Sequence, residues 1–261
     1  MITIAFTRPE RRLYGSIMQA ENMGFKVFAA PSLEIIPGKQ EDFHRTMEEL
    51  SRGDADICIF SSSTAAEECI GVWGTDAAGL LEPFEVISIG PGTAEFLKNN
   101  GIRVDSIPET YSSQGLVDHL SGCSEGKRIL IIHSDKGSDI LRKGLESAGA
   151  KVTELIAYRL EKARISPPLK RIMEETINGN VDFLAFTSPL SAESFFEIAG
   201  TEGYAKDRIA NSTRIAAIGE PTAATLRSLD LKVSIVPEDS TFRSLLETIR
   251  DKEVKEWQRR E

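Results

Sequence analysis

Along the chain, short runs rich in β-branched and aromatic residues alternate with longer segments whose apolar residues recur three and four positions apart. The runs are ITIAF (2–6), KVFAA, ICIF (57–60), VISI, RVDSI, RILII (128–132), KVTELI, FLAF (183–186), RIAAI and KVSIV. Between them lie stretches such as RRLYGSIMQAENMG, TAEFLKNNG and SDILRKGLESAGA, each of helical period and each with a glycine near its end, where a helix commonly stops in a left-handed turn. Strand, helix and strand repeated in this way predict parallel sheets covered by helices on both faces.

Ten strands make a wide single sheet, and an internal repeat shows how to divide them. Gly219 lies 129 positions after Gly90, and the same offset carries Thr93 onto Thr222, Leu97 onto Leu226, Pro108 onto Pro237 and Glu109 onto Glu238. Slightly shorter offsets pair IFSSSTAAE with AFTSPLSAE and ENMGFKV with ESAGAKV. The chain therefore reads as two copies of one five-stranded unit, each a flavodoxin-like doubly wound α/β sheet with ligands expected beyond the C-terminal strand ends. Two divisions fit the period. A tandem cut falls near 125–127, in SGCSEGKR; alternatively the chain leaves the first unit near LEIIPGK and returns near AYRLEKARISPP, places that Pro37, Gly38, Pro167 and Pro168 punctuate.

Candidate chemistry gathers at the duplicated turns. In SIGPGTAEFL, Gly90 permits a tight turn, Gly92 leaves room for a ligand, and Thr93 stands near a helix start, where free N–H groups and the positive helix end favour an anion. AIGEPTAATL sets Gly219, Pro221 and Thr222 in the same roles. The plainer alternative is a tight strand-to-helix turn with a threonine cap. Ser62 in FSSST and Ser188 in FTSPLS would project at the same edge, as ligand contacts or as helix caps. Arg8 in FTRPE, and Ser134 and Lys136 in IHSDKGS, place donors and cations at the ends of two equivalent strands, where they meet an anionic ligand or solvent.

Composition narrows the partners. The 261 residues carry 31 Lys and Arg against 40 Asp and Glu, a net charge of −9 with no basic tract, which argues against nucleic acid. No apolar run reaches the roughly 20 residues of a membrane span, and MITIAFTRPERR lacks a signal-peptide pattern, so a cytoplasmic protein is expected. Cys58, Cys69 and Cys123 form no CxxC pair and read as small buried apolar residues; His44, His119 and His133 lack ligand spacing, so no metal is expected. GPGTAE lacks the third glycine of a dinucleotide fingerprint, and no P-loop or nucleophile triad is present.

TRPE, GFKVFAAPSLEI, IFSSSTAAE, IGPGTAEFL, KRILIIHSDKGSDIL, GAKVTELIAYRLE, FTSPLSAESF and AIGEPTAATL, in this order and spacing, resemble the uroporphyrinogen-III synthase family over essentially the whole chain. The resemblance implies a monomeric, cofactor-free lyase that closes linear hydroxymethylbilane into uroporphyrinogen III, losing water and inverting the last pyrrole ring. It also implies one flavodoxin-like lobe of residues 1–34 plus 166–261, an inserted lobe of 39–156, and linker strands at 35–38 and 157–165, with substrate in the cleft between lobes. The substrate's carboxylates would meet Arg8, Ser62, Gly90, Thr93, Ser134, Lys136, Ser188, Gly219 and Thr222. Tyr158 matches the family tyrosine thought to give the leaving hydroxyl its proton; it acts as that donor or positions substrate. Where many relatives carry an arginine after RILII, this chain has Ser138, leaving Lys136 as the nearest cation. Direct transfer of the unstable substrate from the preceding deaminase stays open. Against this stands a two-lobed anion-binding or regulatory protein without catalysis and, more weakly, a nucleotide-sugar transferase; TRPE and AYRLE favour the synthase.

Overall fold

Three strand segments are buried at every position, as expected where helices cover both faces of a parallel sheet: β1 (Thr3–Thr7) and, in chain order below, β4 and β8. The computed structural model describes residues 1–137 and 139–258. Ser138, the departure from the family pattern noted above, and the tail residues 259–261 lie outside the described residues. After β1 come α1 (Glu10–Asn22), β2 (Lys26–Ala30), β3 (Leu33–Pro37), α2 (Gln40–Ser51), β4 (Ile57–Phe60), α3 (Ser63–Trp73), α4 (Ala77–Leu81), β5 (Glu85–Ser88), α5 (Pro91–Asn99) and α6 (Ser113–Leu120). The second half runs β6 (Arg128–Ser134), α7 (Asp139–Ser147), β7 (Lys151–Lys162), α8 (Pro167–Ile177), β8 (Phe183–Phe186), α9 (Pro189–Thr201), α10 (Lys206–Ser212), β9 (Arg214–Ala217), α11 (Glu220–Ser228), β10 (Val233–Ile235) and α12 (Phe242–Gln258).

The fold is α/β with two five-stranded sheets, β10-β9-β8-β1-β2 and β3-β7-β6-β4-β5. Two compact units result: Met1–Glu34 with Glu161–Glu261, and Ile35–Leu160. In the first, taking strands in chain order, the sheet has the flavodoxin order 2-1-3-4-5, whose switch point lies between β1 and β8. In the second, β4 pairs in parallel with both β5 and β6, and β6 with β7. β3 runs antiparallel to β7, since Gly38 N–H bonds Ala157 O while, six residues earlier on that strand, Ser32 O accepts from Ala163.

Side-chain alternation builds a core on each face. In the second unit Ile57, Ile59, Ile129 and Ile131 face Leu116, Leu120, Leu141 and Leu145 of α6 and α7. Their neighbours Cys58, Phe60, Leu130 and Ile132 face Phe43, Ala65, Cys69 and Trp73 of α2 and α3. In the first unit Ile4, Phe6 and Phe183 meet Ala20 of α1 and Phe242, Leu245 and Ile249 of α12. Ala5, Leu184 and Phe186 meet α8, α9 and α11 through Leu169, Phe195 and Leu226. Each fully buried Leu, Ile or Phe among these stabilises by about 1.5–3 kcal/mol relative to exposure.

Two expectations are corrected. RVDSI is not a strand: the carboxylate of Asp105 accepts the Val86 N–H (2.8 Å) that a regular ladder would use, and pairs with Arg103 (2.8 Å). Only the Ile87–Ser106 bridge remains, and β3 supplies the fifth strand instead. Cys123 is exposed, because it falls in the turn after α6; Cys58 and Cys69 are buried as expected, and burial pushes the Cys58 thiol up to about 12.

Candidate functional site

A cavity of about 160 Å³ opens beyond the C-terminal ends of β4 and β6. β4 ends into Ser61 and Ser62, β6 ends at His133 and Ser134, and β7 contributes Glu154 and Tyr158; Ser113 and Arg142 complete its polar lining. Ser62 takes the extended conformation of an N-cap, and its Oγ accepts from the Ala65 N–H of α3 at 3.1 Å. The same Oγ stands 3.3 Å from the Tyr158 hydroxyl.

A register slip puts the phenol there. His133 pairs with Ile156 but Ser134 pairs with Tyr158, so Ala157 is an extra residue on β7. Such a bulge re-aims the side chains beyond it. Ala157 and Tyr158, though consecutive, consequently both pack on the Phe60 and Ala65 face, and Tyr158 is only 8% exposed. Its backbone is pinned by Asp135, whose N–H bonds Tyr158 O (3.0 Å) and whose Oδ1 accepts from Leu160 N–H (2.9 Å).

His133 lies on the other face of β6. Its Nε2 is 3.1 Å from Glu154 Oε1 yet off the line of a hydrogen bond, and Arg142 Nε stands 3.6 Å from Glu154 Oε2. Burial lowers the imidazole pKa more than Glu154 raises it, so His133 is neutral near pH 7. A Cβ on Gly137 would run into His133 Nδ1, which explains a glycine there.

The two glycine turns differ from expectation. Gly90 and Gly219 both cap their helices in fully extended conformation (φ −174°), open to any residue, so no tight turn demands glycine. Packing distinguishes the two: a Cβ at Gly90 would meet Tyr111 at 3.4 Å, an ordinary contact distance that leaves room for a side chain, whereas at Gly219 it would run into Ser240 Oγ. Tyr111 and Ser240 are themselves 129 residues apart. Thr93 and Thr222 are buried in the first turns of α5 and α11 and cap neither, whereas space at Gly92 is open.

Of the residues singled out in the sequence, Ser62, Ser134 and Tyr158 share the cavity, Gly90 and Thr93 lie elsewhere in that unit, and Lys136 is exposed beside Asp135 at 3.7 Å. Arg8, Ser188, Gly219 and Thr222 belong to the other unit. There Arg8 bonds Ser16 Oγ at 2.7 Å and lies over the Phe242 ring, and its buried Nε has no partner. Burial and the neighbouring Arg12 lower its pKa to about 10. The sequence reading missed His133, Glu154, Arg142, Ser61 and Ser113. The signal for His133 was its place directly after the apolar run of β6, matching Arg8 after β1. Among the described residues no three His, Cys, Asp or Glu side chains gather as a metal site requires.

The profile of the uroporphyrinogen-III synthase HemD family matches residues 17–247. The chain belongs to the uroporphyrinogen-III synthase family. A Methanothermobacter thermautotrophicus protein provisionally named uroporphyrinogen-III synthase is 31% identical over 93% of this chain and 95% of its own. The uroporphyrinogen-III synthase of Chlorobaculum parvum is 23% identical over 91% of this chain and 94% of its own. Among solved structures, a mutant uroporphyrinogen III synthase from Thermus thermophilus superposes with a TM-score of 0.69 over 98% of this chain and 100% of that one, at 21% identity. The Helicobacter pylori uroporphyrinogen-III synthetase gives 0.62 at 15% identity, over 96% and 99%. These likenesses establish the two-domain α/β fold. Uroporphyrinogen-III synthases are lyases of tetrapyrrole biosynthesis acting on a small molecule, and no helix among the described residues is long and apolar enough to cross a membrane.

Proposed function

We propose that this chain cyclises hydroxymethylbilane to uroporphyrinogen III, with Tyr158 as proton donor to the departing hydroxyl. The observation carrying the reading is that, in a member of this family, a phenol lines the cavity and is held against a helix-capping serine. The phenol proton passes to the terminal hydroxyl, the C–O bond breaks, and departing water leaves an azafulvenium cation. Attack by the substituted carbon of the last pyrrole gives a spiro intermediate, which reopens and recloses inverted; the ring carbon then gives up one proton, which restores the Tyr158 phenol, so the net change is loss of one water. The pyrrole chemistry supplies much of the driving force, and the protein folds the chain and blocks closure to the symmetric isomer.

Substrate carboxylates are held by neutral donors and a few cations: Ser134 at the end of β6 and Lys136 just after it, the turns at Gly90–Thr93 and Gly219–Thr222, Ser188 at the start of α9, and Arg8. A net charge of −9 repels a polyanion at long range, so moderate salt should aid encounter. The enzyme works as a cytoplasmic monomer without added cofactor. The test is product isomer composition: fresh hydroxymethylbilane incubated with and without protein, in chelator, then oxidised and separated chromatographically. Predominant type III is expected; type I at the spontaneous rate in both tubes overturns the reading and leaves a protein that only binds an anion.

A further inference from the structure

We propose that Ser62 acts through Tyr158, as the hydroxyl that receives the phenolate when the phenol proton leaves; this rests on the reading of Tyr158 as donor. A serine hydroxyl has one proton and two acceptor sites. The cap bond from Ala65 N–H (3.1 Å) occupies an acceptor site and leaves the Ser62 proton available. While Tyr158 is protonated, either partner can donate across the 3.3 Å contact. Once the phenol proton has gone to the substrate, Oη holds only lone pairs, and the contact survives in one sense alone, with Ser62 donating.

The bond therefore strengthens as charge grows on Oη, because a hydrogen bond to an anion is stronger than one between neutral groups. Ser62 also stands at the start of α3, an 11-residue helix whose positive end favours that charge. An interaction made mainly in the transition state appears in kcat and leaves KM nearly alone. The pair is held rigidly: the bulge at Ala157 aims the phenol, and Asp135 pins the Tyr158 backbone. Capping by itself does not call for a tyrosine. Ser188 caps α9 in the other unit through a reciprocal box with Ser191 (3.1 and 3.2 Å).

Ser62 is thus a positioning residue rather than a carboxylate ligand, and a double-mutant cycle separates the two roles. Ser62→Ala, Ser62→Thr, Tyr158→Phe and the double variant Ser62→Ala with Tyr158→Phe would be assayed for kcat and KM of type III formation. Melting curves would confirm folding, with Ser166→Ala, which removes the cap of α8 (Ser166 Oγ from Leu169 N–H, 3.3 Å), as a measure of cap loss. Ser62→Ala should lower kcat about tenfold to a hundredfold, the range for a hydrogen bond to a charged group, with KM within about twofold by the same transition-state criterion. Ser62→Thr should restore kcat, and Ser62→Ala should change kcat little once Tyr158 is Phe. A Ser62→Ala loss that lies in KM, persists undiminished in the Tyr158→Phe background, or is not restored by a folded Ser62→Thr overturns the inference while leaving Tyr158 as donor. Wild-type kcat in Tyr158→Phe overturns both.

Discussion

The two units share a duplicated frame and spend it differently. Ser62 and Ser188 cap equivalent helices, but Ser62 meets a phenol where Ser188 meets Ser191. Sheet register places Phe60 beside Ile132 and Phe186 beside Thr7, so His133 stands where the other unit has Arg8. Both are withdrawn from water and both titrate lower than usual. Ser112 caps α6 through Gly115 N–H (3.0 Å), and Thr241, 129 residues on, caps α12 through Ser244 N–H (3.1 Å). Devices that satisfy the backbone survive duplication, because a helix start needs the same acceptor whatever its neighbours. The polar side chains at the strand ends have diverged, and the phenol that meets a capping serine is found in one unit.

The sharpest way to break this contrast is Tyr158→Phe, which should lower kcat for type III formation about a hundredfold, the lower end for loss of a general acid. Retained turnover would return the two units to equal standing. Next in size is an exchange between copies. Gly115→Ser installs the residue that its counterpart carries, but a Cβ at Gly115 would meet the backbone carbonyl of Thr110. Destabilisation of about 1–3 kcal/mol by overpacking is expected in urea unfolding; an unchanged midpoint would mean that the two turns are interchangeable after all.

Arg8→Leu tests whether the other unit binds. The guanidinium has a buried Nε without a partner, so its removal should leave stability unchanged or raise it, while KM rises about tenfold for loss of one charge-assisted contact. A fall in stability with unchanged KM would make Arg8 structural. The smallest effect concerns His133. Its folded pKa lies below the unfolded value of about 6.5, so between the two the unfolded chain binds more protons and stability falls as pH falls. Above about pH 6.5 this contribution is fully present. His133→Gln should flatten the acid side of the stability profile, whereas Arg8→Leu should not, since the Arg8 value near 10 lies far outside that window.

How much of this was legible follows from the kind of signal. Strands buried on both faces, such as Ile57–Phe60 and Phe183–Phe186, announce themselves as unbroken apolar runs, and the 129-residue period marks the equivalent turns. RVDSI misled because β-branched residues carry a propensity that one carboxylate, Asp105, cancels by taking the neighbour's N–H. The bulge at Ala157 left no trace, since one extra residue in a ladder is a matter of pairing between β6 and β7, which composition does not encode. The Ser62–Tyr158 contact was out of reach for the same reason: both residues were named, but only the slipped register joins them. Gly90 and Gly219 were noticed for conformational freedom, which their extended backbone does not use; the space taken by Ser240 accounts for Gly219, while a Cβ at Gly90 would make only an ordinary contact with Tyr111.

The pairing of β1 with β8, Ile4 beside Phe183, bears on how the chain is made. At a ribosomal rate of about 5–20 residues per second, roughly 10 to 35 seconds separate the emergence of these two partners. In that interval all of Ile35–Leu160 is synthesised. The inserted unit can therefore collapse around its own sheet while β1 and β2 still wait with an open edge. The outer unit, which begins first, is finished last, and its folding rate carries the entropy of closing a loop that already contains a folded body.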